Sequence, residues 1–538
     1  HNHDCNVSEI NNEEILYVLE FERISRQRYH FGNFFEDPEQ LDYWFKFLKD
    51  YREDKQPVDA VVLDKLLYGK AHYKKFINKE HNWLLEKIKL GLLQNGITHS
   101  KTKFSSCPHH MGHASGAFYT SPFKNALILS YDGAGDDGFT NTYKADETGI
   151  KLINKYPYWL GRIYKSQKDF FTDLKYDKRK GGEESVSGKL MALAGFGKHR
   201  HEWDKIIVEY IRTFHELSTR ALDEPKFHVE KAVVPGEVKS GMSTESKLAH
   251  DWMYNFQYWF TEIVKEIIQK DLNVAKSNNL VLTGGCALNC VANYHIWKDL
   301  ELKGLYVPPN PNDCGLSLGF AYRYLYSINK HNKRIEYPVS PYFNCRILDS
   351  PDLPEGIKSY KSNIIDVAKL INKGKLIGFL IGNSEMGPRA LGNRSILCDP
   401  SISGVKDVLN KKVKFREWFR PFAPIVRLED AQEYFVFDIE SPYMSFAAEV
   451  VDTYKDELKE IVHSDGTARL QTLRRETNPL IWELLAHYKE TYGRGVLLNT
   501  SFNMKGRPIL SRYSDAFQIL LETQLDYIYD GDRLYSEH

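Results

Sequence analysis

Cys107-Pro-His-His-Met-Gly-His-Ala-Ser-Gly-Ala-Phe118, followed by the apolar run Ala126-Leu-Ile-Leu-Ser-Tyr and then Asp132-Gly-Ala-Gly-Asp136, is the stretch from which the rest of the chain can be read. His109 and His113 are spaced i,i+4. On a helix that spacing puts both imidazoles on one face, as in the H-E-x-x-H helices that hold a metal. His110 falls on another face and is the weaker candidate. Residues 126–132 suit a buried strand. The strand ends in Asp132, and Gly133 and Gly135 behind it allow a backbone or ligand to approach closely. Such a turn can hold a metal or phosphates. Taken alone, the same residues also suit a helix with two packed histidines and a tight turn.

The chain has 538 residues, enough for two to four domains, and its 42% hydrophobic content can fill sizeable cores. Lys+Arg and Asp+Glu number 72 each, so no net charge draws the chain to nucleic acid or to an anionic membrane. No apolar run is long enough to span a bilayer. The opening His-Asn-His-Asp-Cys is unlike a signal peptide, and without a Met it suggests that residues precede His1. Seven scattered cysteines without a C-x-x-C pair suggest a reduced, cytoplasmic protein. Cys286 and Cys290 are expected to be small core residues.

Outward from the histidines, residues 14–21 are expected to form a strand, and the basic run from Glu22 to His30 a solvated loop. Residues 37–95 carry aromatic and aliphatic side chains at helical spacing, with a short strand around 58–63. Meandering strands are expected over 137–180, with a charged loop at 175–180. Ser187-Gly-Lys-Leu-Met sits in a helix, but the full phosphate-loop pattern is absent. Residues 200–276 are mostly helical, with a loop near 235–243. Val281-Leu-Thr-Gly-Gly-Cys-Ala-Leu-Asn289 is a strand leading into a small-residue turn. Its Gly284, Gly285 and Asn289 suit close approach to a nucleotide, as Gly133 and Gly135 do. Asp313, ahead of Gly-Leu-Ser-Leu-Gly, fits a helix N-cap when taken alone.

Composition changes over 327–355, and a domain boundary is placed at 340–350. Beyond it come a helix around 364–373, a strand at 375–382, and Glu385-Met-Gly-Pro-Arg389-Ala-Leu-Gly-Asn-Arg394-Ser395. Then follows Lys411-Lys-Val-Lys414-Phe-Arg416-Glu-Trp-Phe-Arg420-Pro-Phe-Ala-Pro424. Arginines and lysines set among aromatics, glycines and prolines are what a polyphosphate pocket needs. Thr467-Ala-Arg469-Leu-Gln471 and Asn499-Thr-Ser501-Phe-Asn503 complete that set.

Taken together and in order, these motifs resemble the NodU/TobZ family of ATP-dependent O-carbamoyltransferases. The resemblance also covers His3-Asp4, Glu22-Arg23, Gly188-Lys-Leu-Met and Asp313-x-Gly. It implies an α/β chain of two domains. Residues 1–340 would be an actin/sugar-kinase-like (ASKHA) duplicated domain with a metal site, and 341–538 a YrdC-like α/β domain. By motif match, His109, His113, Asp132 and Asp313 would ligate a divalent metal, iron(II). Arg389, Lys414, Arg420, Arg469, Ser501 and Asn503 would hold carbamoyl phosphate and ATP, with Mg2+ accompanying the nucleotide. His3 would be the base at the acceptor hydroxyl. The C-terminal site would make carbamoyl adenylate, and the N-terminal domain would pass the carbamoyl group to a small polar natural product. One departure is visible: Ile381-Gly-Asn383 stands where the family has Gln-Gly-Arg, so one arginine contact to phosphate is missing.

Two other readings compete. One is a threonylcarbamoyl-type transferase acting on tRNA, which the balanced charge disfavours. The other is a kinase or ATPase of the actin/sugar-kinase superfamily, which would release ADP. The acceptor, the metal's identity and the oligomeric state, a homodimer included, stay open at this level.

Overall fold

The histidine stretch forms the helix His109–Thr120, buried on nearly every side. The structure, a computed structural model, describes residues 4–11, 14–28, 39–65, 80–174, 186–218, 233–328 and 337–537. Small residues explain how a helix so rich in polar groups can be buried. A Cβ on Gly319 would collide with the carbonyl of Gly112, and one on Gly116 would come within 3.2 Å of the Gly319 Cα. The helix Leu316–Ile328 therefore crosses the histidine helix almost backbone to backbone, and that crossing brings the turn Asp313–Gly315 to the histidines.

The architecture is mixed α/β. Behind the histidine helix lies a five-stranded sheet in the order Gly149–Tyr156, Gly138–Asp146, Ala126–Gly135, Asn279–Thr283, Gly304–Tyr306. The first three strands are antiparallel, and the last two run parallel to Ala126–Gly135. The long helix Lys247–Ala275 packs on this sheet, capped by Ser246, which accepts from the N–H of Ala249. Ahead of the sheet, among the described residues, are the antiparallel pair Asn6–Asn11 with Glu14–Glu20 and the parallel pair Ala60–Asp64 with Lys103–Cys107. The C-terminal half is built on a ten-stranded mixed sheet centred on Arg394–Cys398, Val496–Ser501 and Ala423–Arg427. One apolar cluster includes Leu129 and Phe256 from the first half and Phe419 and Phe446 from the second.

Two expectations are corrected. The run starting at Glu22 is not a solvated loop at its start: Phe21–Ser25 is a helical turn, and Arg23 is among the largest fully buried side chains, while Arg26 and Gln27 are exposed and the end of the run lies outside the described residues. A charged residue sinks this far only when paired, and Arg23 is paired with Glu20, Nε to Oε2 at 3.1 Å. Residues 137–180 are not strands throughout, because Leu160–Ser166 is helical. The expected charged loop 175–180 lies outside the described residues. Among them, no helix is long and apolar enough to cross a membrane, and none of the seven cysteines is in a disulfide.

Candidate functional site

Four side chains that the sequence spreads over more than two hundred residues meet at one point. The ligand atoms of His109, His113, Asp132 and Asp313 all lie within 4.8 Å of one another. The two Nε2 atoms face each other at 3.2 Å. Asp313 Oδ1 lies 3.3 Å from His113 Nε2 and 3.7 Å from His109 Nε2, and Asp132 Oδ2 lies 3.3 Å from His113 Nε2. Burial works against charge on His113, but hydrogen bonds to Asp132 and Asp313 and their charges overcome it, pushing its pKa up to about 9. A pocket that favours positive charge between two carboxylates, with two imidazole nitrogens turned inward, fits a divalent ion. Two nitrogens and two carboxylate oxygens suit iron(II), manganese or zinc better than a thiolate-seeking metal.

Neighbouring backbone holds these ligands in place. Asp136 and Asp137, on the hairpin after the strand, accept from the N–H groups of His109 and His110 at 2.8 and 2.9 Å. They occupy the start of the helix, where negative charge is favoured. Gly285 donates its N–H to Asp132 Oδ2 at 2.6 Å. Gly284, at φ +91°, leaves no room for a Cβ against Tyr131. A Cβ on Gly135 would come within 2.7 Å of the His109 ring. These glycines therefore shape the ligand positions as well as the turn.

His110 stands apart from the cluster. Its Nδ1 is 2.8 Å from the Ser130 hydroxyl, and its Nε2 is 3.0 Å from the Gly138 carbonyl. With Nε2–H donating to the carbonyl and the Ser130 hydroxyl donating to Nδ1, a neutral ring is satisfied. Asp313 is the first residue of the turn Asp313–Gly315, whose N-cap is Asn312, and its carboxylate faces the histidines. The Asn289 side chain is engaged structurally: it accepts from Ala292 N–H and donates to Gln257. His3 lies outside the described residues. Its neighbour Asp4 accepts from Asn312 at 3.4 Å, at the turn that leads into Asp313.

In the C-terminal half the cationic residues converge. The buried Lys414 ammonium donates to the Ser501 carbonyl, to Asn503 Oδ1 at 2.7 Å and to the Asn503 carbonyl at 3.1 Å. These partners are neutral. Burial and the charges of Arg416, Arg28 and Arg420 hold its pKa well below the usual lysine value. Arg416 is depressed in the same way by burial, Arg420 and Arg469. Arg469 is pushed down to about 9 by burial and Arg389. Glu417 is the nearby acid, and it pairs with Lys189 at 2.7 Å and approaches Arg420 at 3.9 Å. Cations that lower one another's pKa in a buried space mark a place where an anion is needed. Arg389 reaches back to the Leu288 carbonyl at 3.2 Å, on the turn that follows Gly285, so the arginine pocket adjoins the turn that braces Asp132.

The sequence motifs name Arg389, Lys414, Arg420, Arg469, Ser501 and Asn503 but do not mark Arg416 and Arg28 as pocket residues. No sequence signal separates inward from outward cations in the run 411–420. The structure separates them: Lys411 is exposed and pairs with Asp407, while Arg416 turns in to Asn410 and the Phe422 ring.

A family model described as carbamoyltransferase N-terminus matches residues 1–322, and one described as carbamoyltransferase C-terminus matches 368–537. The nodulation protein NolNO of Sinorhizobium fredii is 30% identical over 498 residues, covering 88% of this chain and 69% of that protein. Nodulation protein U of Rhizobium tropici is 29% identical over 452 residues, covering 81% and 76%. A crystal structure of full-length HypF in a phosphate- and nucleotide-bound form aligns over 54% of this chain and 42% of its own, at 14% identity and a TM-score of 0.31, too slight a likeness to argue from.

Proposed function

The chain belongs to the carbamoyltransferase family, and on that premise we propose that it is an ATP-dependent O-carbamoyltransferase working in two steps. Residues 341–538, read as a YrdC-like domain, turn carbamoyl phosphate, ATP and water into carbamoyl adenylate, phosphate and pyrophosphate, with Mg2+ on the nucleotide. Residues 1–340, read as a duplicated ASKHA-type domain, pass the carbamoyl group to a hydroxyl of a small polar acceptor, releasing AMP. The observation that carries the reading is the convergence of the buried Lys414 and the half-buried Arg416 and Arg469 on partners that are mostly neutral. Such a pocket can hold two phosphorylated substrates against their mutual repulsion.

Each residue then has a task. Lys414 is a point charge fixed by Ser501 and Asn503, and Arg420, Arg469 and Arg389 fork onto phosphate oxygens. His109, His113, Asp132 and Asp313 hold a divalent ion, iron(II) in this reading. That ion, when bound, supplies a Lewis acid for a carbonyl or phosphoryl oxygen. His3 takes the proton of the acceptor hydroxyl, since an alcohol near neutral pH is a weak nucleophile without a base. Asp4, the residue after His3, accepts from Asn312 at the turn before Asp313.

The test supplies ATP, Mg2+ and carbamoyl phosphate and measures nucleotide products. Pyrophosphate should appear only when carbamoyl phosphate is present. AMP should follow when hydroxyl-bearing natural products are added, with a carbamoyl mass gain on one of them. ADP as the nucleotide product would instead point to a kinase or ATPase and overturn the reading.

A further inference from the structure

A second group of metal-capable side chains lies where the segment after the helix Val186–Ala194 turns through His201–Trp203 into the start of the helix Asp204–Ser218. We propose that His199, His201 and Asp204 form a separate site for a divalent transition ion of the zinc class. Their ligand atoms all lie within 4.8 Å of one another, and none of the three belongs to the His109 cluster. His199 Nε2 is 2.8 Å from Asp204 Oδ1, and His201 Nδ1 is 3.4 Å from Asp204 Oδ2. The two imidazole rings sit side by side, 4.4 Å between centroids.

The surroundings resemble those of a supported site. Trp259 on the long helix donates its indole N–H to Asp204 Oδ1 at 2.7 Å, the kind of outer hydrogen bond that orients a ligating carboxylate. The backbone on either side of His199 is pinned without help from the cluster. Lys198 N–H donates to Asp251 Oδ1 at 2.9 Å, and Arg200 N–H donates to Asn255 Oδ1 at 2.9 Å. Arg200 Nε adds a bond to Asp251 Oδ2 at 2.9 Å. Gly197 lies so close to His250 that a Cβ there would strike its carbonyl. Both histidines are thus presented from a fixed backbone, and only the His201 side chain, 88% exposed, has freedom left to lose. Two nitrogens and one carboxylate select zinc, cobalt or nickel over magnesium and calcium. Water would complete the coordination on the solvent side.

The experiment strips the full-length protein of metal with a chelator and titrates it with Zn2+, with Mg2+ in parallel. Zinc should bind at one equivalent more in the parent than in H201A and should raise the melting temperature of the parent by several degrees more than that of H201A. Mg2+ should do neither at this site. H113A should lose a different equivalent and H113A/H201A both, which separates this site from the His109 cluster whatever the enzyme's activity. His201 is exposed, so H201A leaves the core intact. D204N, whose amide keeps the volume, should behave as H201A does. A zinc stoichiometry and stabilisation in H201A equal to those of the parent overturn the proposal. So does a parent that binds no zinc beyond the equivalent lost in H113A.

Discussion

Arg23 donates Nη2–H to the carbonyl of Gly387 at 2.6 Å, across 364 residues of sequence, and the Gly387 N–H donates in return to the Glu20 carboxylate that pairs with Arg23. The pair thus fastens the end of the strand Glu14–Glu20 and the helical turn after it to the loop that carries Arg389. Gly387 stands at φ +88°, and a Cβ there would strike the Pro309 carbonyl. Burial pushes the Glu20 carboxyl up to about 7, even with Arg23 opposing it. The latch therefore costs desolvation and gives, in return, a fixed relation between the metal half and the arginine pocket.

Removing one partner of this buried pair should be expensive. Arg23→Met leaves Glu20 buried without its cation, and a loss of about 3–5 kcal/mol is expected. Denaturant midpoints measure it. The double change Glu20→Gln with Arg23→Met should recover part of the loss. A single variant within 1 kcal/mol of the parent would remove the latch from the argument.

The glycine crossing makes a second demand. Gly319→Ala pushes a methyl into the Gly112 carbonyl, and overpacking of that kind costs about 1–3 kcal/mol. Because the same helix follows the Asp313 turn, metal content should drop with stability. Full metal content in a destabilised variant would show that the turn is held by other contacts, such as Asn6, which donates to the Asp313 carbonyl at 2.7 Å.

For the metal centre, His113→Ala should lose the ion bound among His109, Asp132 and Asp313. Metal–nitrogen distances in the parent should be about 2.0–2.2 Å. Elemental analysis and X-ray absorption measure these quantities. Transfer to the acceptor should fail while carbamoyl-phosphate-dependent pyrophosphate release persists. Equal loss of both steps would argue against a division of labour between the halves.

Arg420→Ala and Arg416→Met test the other half. Each removes a cation from the pocket, and the loss of one partner of a buried charged contact is worth about 2–5 kcal/mol. Carbamoyl adenylate formation should fall by the corresponding factor, while added carbamoyl adenylate is still consumed. Normal formation by Arg416→Met would return that residue to a purely structural part.

His463 should shape the acid limb of stability. Burial pulls its imidazole down to about 4, Arg469 and Lys406 push the same way, and Asp465 pulls against them. Below the ordinary value of about 6.5 the unfolded chain takes a proton that the folded chain refuses. Stability is therefore lost as pH falls from about 6.5 to 4, by up to about 1.4 kcal/mol per pH unit for one proton. The difference in stability between the parent and His463→Gln should narrow across that window, and a pH-independent difference would exclude the effect.

The sequence by itself determined the chemistry of the parts. The i,i+4 histidines need only helical periodicity to share a face, and the strand ending in Asp132 needs only its apolar run. Hydrophobic period and glycine placement are local properties, and local physics decides them. Composition likewise marked residues 411–424 as a basic segment. What local physics could not decide was which polar groups go inside. Asp313 fits a helix cap in its own sequence context and became a histidine partner only through the crossing of Gly112 and Gly116 with Gly319. Arg23 lies in a run that looks solvated and is buried because the neighbouring Glu20 carboxylate and the Gly387 carbonyl from a distant segment both meet it. Of the cations between Lys411 and Arg420, the fold of the segment turned Arg416 inward onto Asn410 and Phe422, beside Arg469 from a distant strand, and left Lys411 in water. Burial of a charge depends on partners brought from elsewhere in the chain, and that information exists only once the chain has folded.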